Sequence, residues 1–194
     1  MDILKLKKSK TREIILRFFF SDVNRKHYLR ELEKILNISV GNIRRELLSL
    51  EKGGLFIKER VGNQVYYFLN TDSSIFMEVK EIVSKTIGLE AILKDCLLKI
   101  KNIKICFIYG SIAKKTENSL SDIDIFVSGD IDEDKLAKVL RVAEKKLSRE
   151  VNYTLFSEKE LKKRISDDVF LKDIIFNEKI FLIGNKNELE TIIK

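Results

Sequence analysis

The sequence predicts an α/β (α+β) chain of two domains, the first helical with a terminal β-hairpin, the second a mixed sheet flanked by helices. Apolar residues recur at helical spacing through the first fifty positions, and two strand-like runs then surround a Val-Gly-Asn turn. After residue 100, apolar strand-like runs alternate with amphipathic helical runs. We therefore expect domains at residues 1–72 and 101–194, joined by a helical connector at 73–100.

The basic excess of the chain lies entirely in its first third. Residues 1–70 hold 15 Lys and Arg against 8 Asp and Glu, whereas residues 71–194 hold 22 of each. Such an asymmetry indicates an anionic partner for the first domain, and nucleic acid is the first candidate. The alternative is an ordinary basic surface exposed to solvent.

Three helices and a hairpin are predicted in the first domain. The helices span 11–20, 28–36 and 40–52, with Thr11 and Ser39 as candidate caps, and the hairpin strands span 55–60 and 64–69. The stretches Leu29-Arg30-Glu31-Leu32 and RELLSLEKGGL, residues 45–55, look like the second and third helices of winged helix-turn-helix domains of small prokaryotic regulators, running into the wing.

Polar side chains on the third predicted helix and on the hairpin are the candidates for contact with DNA. Arg and Asn can read guanine and adenine edges, and hairpin residues can reach the phosphate backbone. The candidates are Asn42, Arg44, Arg45, Ser49, Lys58, Arg60, Asn63 and Gln64. They are alternatively the polar surface of a domain that binds protein, but charge and motif together favour DNA.

The connector contains two helical runs whose apolar stripes need a covering surface. They pack either on the second domain or on another copy of the chain. Because helix-turn-helix regulators often act as dimers on two-fold sites, we expect a homodimer.

The second domain opens with an apolar strand, 103–109, which Gly110 and Ser111 follow directly. A short helix is expected at 111–117, a loop at 117–120, and a long helix capped by Asp132 at 133–148. Ten residues after Ser111, Asp122 and Asp124 begin another apolar strand, and their spacing places both carboxylates on one face. Neighbouring carboxylates repel each other unless a cation lies between them, and Mg²⁺ or Mn²⁺ suits oxygen ligands. Gly110 leaves room for a bulky anion, and Ser111 supplies a hydroxyl and an N–H that suit phosphate.

This combination of Gly-Ser, ten residues and Asp-Ile-Asp resembles the signature of the DNA polymerase β-like nucleotidyltransferases. Ala113, Lys114 and Ser121 make the stretch similar to the minimal members of that family. The resemblance covers roughly the last hundred residues. It implies a nucleotidyltransferase fold that binds a nucleoside triphosphate with Mg²⁺ or Mn²⁺ and transfers a nucleotidyl group to a hydroxyl acceptor. The implied metal and catalytic residues are Asp122 and Asp124, and the nucleotide-binding candidates are Gly110, Ser111, Lys114, Lys115 and Ser121.

The third strand, 150–156, departs from the pattern of the family. The family normally carries a third carboxylate there, which completes the metal site and can serve as base, but Asn152 is the residue that aligns with it. An amide can coordinate through its oxygen but cannot take up a proton. Glu150 lies on the same face and is the candidate substitute, about 7 Å along the strand.

Three functions remain open from the sequence. The chain is an enzyme that transfers nucleotidyl groups, a transcription regulator whose second domain senses a nucleotide or binds a partner without catalysis, or an antitoxin-type protein that modifies a toxin partner. No apolar run is long enough to cross a bilayer, and residues 1–10 lack the apolar stretch of a signal peptide. A cytoplasmic location is therefore expected.

Overall fold

The computed structural model describes residues 9–116 and 121–193. The chain divides into two compact units between Gly88 and Leu89. The two helices predicted as a connector therefore lie in different units. Within the described residues, no helix combines the length and the apolar character needed to span a membrane.

The first unit contains four helices and a three-stranded sheet among its described residues. In chain order they are α1 (Lys10–Phe20), β1 (His27–Tyr28), α2 (Leu29–Leu36), α3 (Val40–Lys52), β2 (Phe56–Val61), β3 (Gln64–Leu69) and α4 (Phe76–Thr86). The strands lie in the order β1-β3-β2, and both pairings are antiparallel. The short strand β1 has no signal of its own in the sequence, since two residues are too few to show a period.

The predicted helix starts differ from the structure in their capping. The cap of α1 is Ser9, whose side chain accepts from the Arg12 amide, and not Thr11. Ser39 does precede α3, but its side chain makes no capping hydrogen bond. Among the described residues, the Val40 amide in the first turn instead donates to Glu33 at 3.3 Å.

A buried ion pair joins α1 to α3. Arg12 Nε donates to Glu46 Oε2 at 2.8 Å, and both side chains are only 9% exposed. Arg12 Nη2 also donates to the Ser49 hydroxyl at 2.9 Å. The orientation of α3 is therefore set by charge-assisted bonds as well as by the apolar core around Ile43 and Leu47.

The second unit is a four-stranded mixed sheet with helices on both faces. Its elements are α5 (Leu89–Leu97), β4 (Ile103–Tyr109), α6 (Gly110–Ala113), β5 (Ile123–Gly129), α7 (Glu133–Leu147), β6 (Val151–Phe156), α8 (Glu158–Arg164), α9 (Val169–Phe176), β7 (Ile180–Ile183) and α10 (Lys186–Ile193). The strand order is β6-β5-β4-β7, in which β5 and β6 are parallel and the other two pairs antiparallel.

Alternate residues of the strands supply two separate cores. Ile123, Ile125 and Val127 pack on one face with side chains of α5 and α7. Phe107 and Phe126 stack on the other face, at 4.8 Å between ring centroids, among residues of α8, α9 and α10. Because both faces of β5 are covered along its middle, its two polar side chains, Asp124 and buried Ser128, each lie one position from an end of the strand.

Candidate functional site

The predicted site residues meet at one edge of the four-stranded sheet. Strand β4 ends at this edge, whereas β5 and β6 begin there, because β4 runs antiparallel to β5 and β5 parallel to β6. The register places Tyr109 opposite Asp124 and Asp124 opposite Asn152. Three neighbouring strands thus contribute one residue each to a row across the sheet.

Asp122 and Asp124 occupy different surroundings within this edge. Asp124 is the second residue of β5 and is half-buried, whereas Asp122 precedes the strand and is exposed. Ile123, between them, is fully buried in the core on the α5 and α7 side. Within β5, Asp124 therefore lies on the face opposite Ile123 and Ile125, as the alternation predicts. The orientation of the Asp122 side chain, outside the strand, stays a prediction.

Gly110 lies directly against the Asp124 carboxylate. Its φ of +72° is in the left-handed region, and a Cβ built on it would lie 2.9 Å from Asp124 Oδ2. A side chain at this position would therefore both strain the backbone and displace the carboxylate. The Gly-Ser turn and the acidic strand are brought into contact here, although thirteen positions of sequence separate Gly110 from Ile123, the first residue of β5.

The helix after Gly110 is shorter than the predicted 111–117. Helix α6 covers Gly110–Ala113, and Lys114 is its C-cap. The Thr116 amide donates to the Ser111 carbonyl at 2.9 Å, and Lys115 adopts a left-handed φ of 58°. Both lysines are exposed beside the turn. The end of the predicted helix and the loop that was expected to follow it, residues 117–120, lie outside the described residues.

Asn152 and Glu150 approach the acids in different ways. Asn152 Nδ2 lies 3.4 Å from Asp124 Oδ1, as a long hydrogen bond from an exposed side chain. Glu150 precedes β6 and is exposed, and its carbonyl accepts from the Ile123 amide at 2.9 Å. Asn152 therefore takes the position facing Asp124, and Glu150 contributes a main-chain contact.

Two residues at this edge escape prediction from the sequence. Arg149 donates from Nε to the Ser121 carbonyl at 2.8 Å, and its Nη2 also donates to that oxygen. The Tyr109 hydroxyl lies 3.2 Å from the Thr154 hydroxyl. Burial raises the pKa of Tyr109; the bond with Thr154 opposes this, and the charge of Asp124 adds to it. Tyr109 is thus a neutral hydroxyl beside Asp124 at neutral pH. The alternation of β4 places Tyr109 on this face, but no local pattern marks Arg149, whose contact spans 28 positions.

The carboxylate oxygens at this edge suit a hard divalent cation that also binds phosphate oxygens of a substrate. Within residues 9–116 and 121–193, no three His, Cys, Asp or Glu side chains group as a metal site. Two carboxylates, however, are a sufficient protein contribution for Mg²⁺, which completes its shell with phosphate and water oxygens. The Asp122 and Asp124 carboxylates are the candidate charged oxygen ligands at this edge, and Asn152 offers an uncharged amide oxygen.

The candidate DNA-contacting residues lie on the surface of the first unit, with one exception. Those exposed are Asn42, Arg44, Arg45, Lys58, Arg60, Asn63 and Gln64. The exception is Ser49, which is half-buried and accepts a hydrogen bond from Arg12. Lys58 pairs with Glu51 at 2.8 Å, and this hydrogen bond raises the pKa of the lysine.

Comparison with known proteins adds structural neighbours of low identity. A chain in the crystal structure of a toxin-antitoxin with AMP-PNP aligns at 20% identity over 54% of this chain and 80% of that chain, with a TM-score of 0.42. A chain of a tri-AMPylated Shewanella oneidensis HEPN toxin in complex with MNT antitoxin aligns at 15% identity over 54% and 80%, with a TM-score of 0.36. The search of curated proteins finds no match.

The family comparison is more direct. The model of the family described as polymerase beta, nucleotidyltransferase matches residues 92–188, which is half of the chain. This span contains β4, the Gly-Ser turn, β5 and β6, and so the whole edge described above. The chain belongs to the polymerase beta nucleotidyltransferase family.

Proposed function

We propose that the second unit binds a nucleoside triphosphate together with Mg²⁺ or Mn²⁺ and transfers its nucleotidyl group to a hydroxyl acceptor. The observation that supports this most strongly is the contact of Gly110 with the Asp124 carboxylate. It brings a phosphate-compatible turn and an acidic strand to one point, which metal-assisted transfer between phosphates requires.

Each residue at the edge has a separate role in this proposal. The hydroxyl of Ser111 donates to a phosphate oxygen, and exposed Lys114 and Lys115 attract the polyphosphate chain. Asp122 and Asp124 would hold the divalent cation, which when bound neutralises charge on the phosphates. The neutral Tyr109 hydroxyl, hydrogen-bonded to Thr154, lies beside Asp124 and adds no charge to the surroundings of that carboxylate.

The transfer itself exchanges a phosphoanhydride bond of the triphosphate for a phosphoester bond to the acceptor. The acceptor oxygen attacks the α-phosphorus, the bond from that phosphorus to the bridging oxygen breaks, and pyrophosphate leaves. The proton of the acceptor hydroxyl must go to a carboxylate or to water, because the Asn152 amide cannot accept it. We therefore expect slow transfer, and Asn152→Asp should accelerate it by about 10²-fold or more if it restores a base.

The test uses the full chain with ATP, CTP, GTP and UTP labelled at the α-phosphate, Mn²⁺ or Mg²⁺, and RNA, DNA or co-expressed protein as acceptor. Label transfer should require Asp122 and Asp124, and Asp122→Ala should abolish it. Asp130→Ala is the matched control, because Asp130 is an exposed aspartate just past the far end of β5. Nucleotide and Mn²⁺ binding without transfer, even by Asn152→Asp, would instead support the sensing regulator. Absence of any nucleotide binding would reject both functions.

We also propose that the first unit binds DNA in the manner of a winged helix-turn-helix domain. The supporting observation is that Asn42, Arg44 and Arg45 are all exposed on α3, within the basic third of the chain. The buried pair of Arg12 and Glu46 holds α3 in one orientation, which a reading helix needs.

DNA binding is tested with fluorescent duplexes from the region upstream of the gene, at several salt concentrations. The affinity for DNA should fall steeply as the salt concentration rises. Arg44→Ala and Arg45→Ala should each weaken binding, and each should reduce the slope of log affinity against log salt concentration by about 1 if that arginine contacts a phosphate. Lys85→Ala removes the same charge from α4 of the same unit and should have little effect. Equal losses from all three variants would indicate only a diffuse basic surface. The homodimer stays a prediction, which sedimentation of the free chain and of the DNA complex would test.

A further inference from the structure

Three successive contacts join the start of β6 to the start of β5. Arg149 donates from its side chain to the Ser121 carbonyl, the Ile123 amide donates to the Glu150 carbonyl at 2.9 Å, and Asn152 Nδ2 reaches Asp124 Oδ1 at 3.4 Å. The first two contacts lie at or just before the starts of the paired strands, and the third lies within the parallel ladder of β5 and β6. The third contact joins Asp124 to β6, and the first two hold the residues on either side of Asp122.

Asp122 depends on these contacts more than Asp124 does. Asp124 lies within the β5 ladder and against Gly110, whereas Asp122 precedes the first residue of the ladder and is exposed. Its backbone is bounded on one side by the Ile123 amide and on the other by Ser121, where Arg149 holds the carbonyl. The arginine thus acts on the residue directly before the exposed acid.

The backbone on both sides of Arg149 is held by hydrogen bonds to Glu144. It follows Ser148, the left-handed C-cap of α7, whose amide donates to the Glu144 carbonyl. The Glu144 side chain in turn accepts from the Val151 amide at 3.0 Å. Glu144 therefore anchors the chain on both sides of Arg149, so the guanidinium extends from a constrained turn.

The chemistry of the contact favours arginine over lysine. The guanidinium is planar and directs Nε and Nη2 to the same oxygen, and a charged donor strengthens both hydrogen bonds. An ammonium can supply one donor to that oxygen from a more flexible stem. Lysine should therefore restore the contact in part.

We propose that Arg149 is a positioning residue that sets Asp122 relative to Asp124 and thereby determines the affinity of the carboxylate pair for a divalent cation. This inference rests on the proposed nucleotidyl-transfer function. Substitution of residues that hydrogen-bond to metal ligands and orient them typically lowers metal affinity by about 10-fold to 100-fold. Arg149 acts on the main chain next to a ligand, so a change near the lower bound is expected.

The experiment measures Mn²⁺ binding to the full chain by electron paramagnetic resonance, with Mn²⁺ alone as the probe. Arg149→Met should weaken binding about tenfold, and Arg149→Lys should give an intermediate affinity. Arg141→Met is the control, because Arg141 is an exposed arginine on α7, and it should bind as the natural chain does. Thermal unfolding in EDTA establishes whether each variant folds.

Two further readouts separate positioning from general damage. Hydrogen exchange at the Ser121 and Asp122 amides should accelerate in Arg149→Met, whereas amides of β4 should keep their protection. The Mn²⁺ concentration for half-maximal label transfer should rise, and saturating Mn²⁺ should restore the rate. A lower rate at saturation with an unchanged Mn²⁺ requirement would overturn the inference.

The remaining outcomes are also decisive. Unchanged Mn²⁺ affinity in both Arg149 variants, while Asp122→Ala abolishes binding, would reject the role of Arg149 and leave the proposed function standing. If Arg149→Met does not fold, Arg149→Lys decides, and an affinity equal to that of the natural chain would reject the role. Failure of the natural chain to bind Mn²⁺ with or without nucleotide would reject the proposed function itself.

Discussion

Replacing Gly110 with alanine should weaken both the fold of the second unit and its capacity to bind a divalent cation. The backbone φ of +72° costs a residue with a Cβ about 1–2 kcal/mol. The new Cβ would lie 2.9 Å from Asp124 Oδ2, about 0.5 Å inside ordinary van der Waals contact. Because Oδ2 is the end of a side chain, rotation relieves that contact at little cost. The backbone strain therefore dominates the loss of stability, and the rotation changes the position of the ligand.

Thermal unfolding in EDTA and Mn²⁺ titration measure the two effects separately. For a unit of about 100 residues, 1–2 kcal/mol corresponds to a fall in the unfolding temperature of roughly 5–10 °C. The Mn²⁺ affinity should fall about tenfold, because the substitution disturbs the contact of residue 110 with Asp124, a proposed metal ligand. The same substitution in an Asp124→Ala background should keep the thermal effect, because the strain remains when the carboxylate is gone.

Gly41→Ala provides the control. Gly41 lies in α3 with open space around its Cα, so alanine there should be neutral or stabilise the helix by up to about 1 kcal/mol. A Gly110→Ala chain that unfolds at the natural temperature and binds Mn²⁺ normally would refute the reasoning. A thermal effect that disappears in the Asp124→Ala background would show that the contact, and not the backbone, carries the cost.

Three other substitutions probe separate contacts. Lys115→Gly should raise the free energy of unfolding by about 1 kcal/mol, because the left-handed φ of 58° favours glycine. Urea unfolding would show the higher stability, and titration with ATP would show weaker nucleotide binding. Tyr109→Phe removes a half-buried hydrogen bond to β6 and should cost about 1 kcal/mol in thermal unfolding; an unchanged melting temperature would mean that the bond adds nothing. Glu46→Gln leaves the buried charge of Arg12 without its carboxylate and should destabilise the first unit by about 3 kcal/mol in urea. Glu13→Gln, in a partly exposed pair with Arg17, should cost less than about 1 kcal/mol.

Periodicity located most elements of the chain, and boundaries were its weak point. The hairpin strands and the long helix after Asp132 lie within a residue or two of their predicted bounds. The helix after Gly110 ends four residues early, because Lys115 turns left-handed and the Thr116 amide closes on Ser111. No propensity of lysine predicts that conformation, since it is a cost that the surrounding turn imposes.

The site was predicted in part for a similar reason. Period two along β5 was enough to orient Asp124 away from Ile123 and Ile125, because a strand alternates its faces whatever surrounds it. The pairing of Asp124 with Asn152 also follows the predicted alignment of the third strand. Ser49 differs from the prediction that it contacts DNA, because its hydroxyl accepts a hydrogen bond from Arg12, 37 positions away.

The amino-acid order alone determined which residues could carry chemistry: a glycine and serine after one apolar strand, and two acids opening the next, whereas the resemblance to the family marked Asn152 as the amide at the position of a third acid. These are local properties, set by residue type and by the two-residue repeat of an extended chain. Only the tertiary structure decided that Gly110 supports Asp124 and that Arg149 holds the chain beside Asp122. Those contacts depend on how strands distant in sequence align in the sheet, which is set by packing of both faces and not by any single segment.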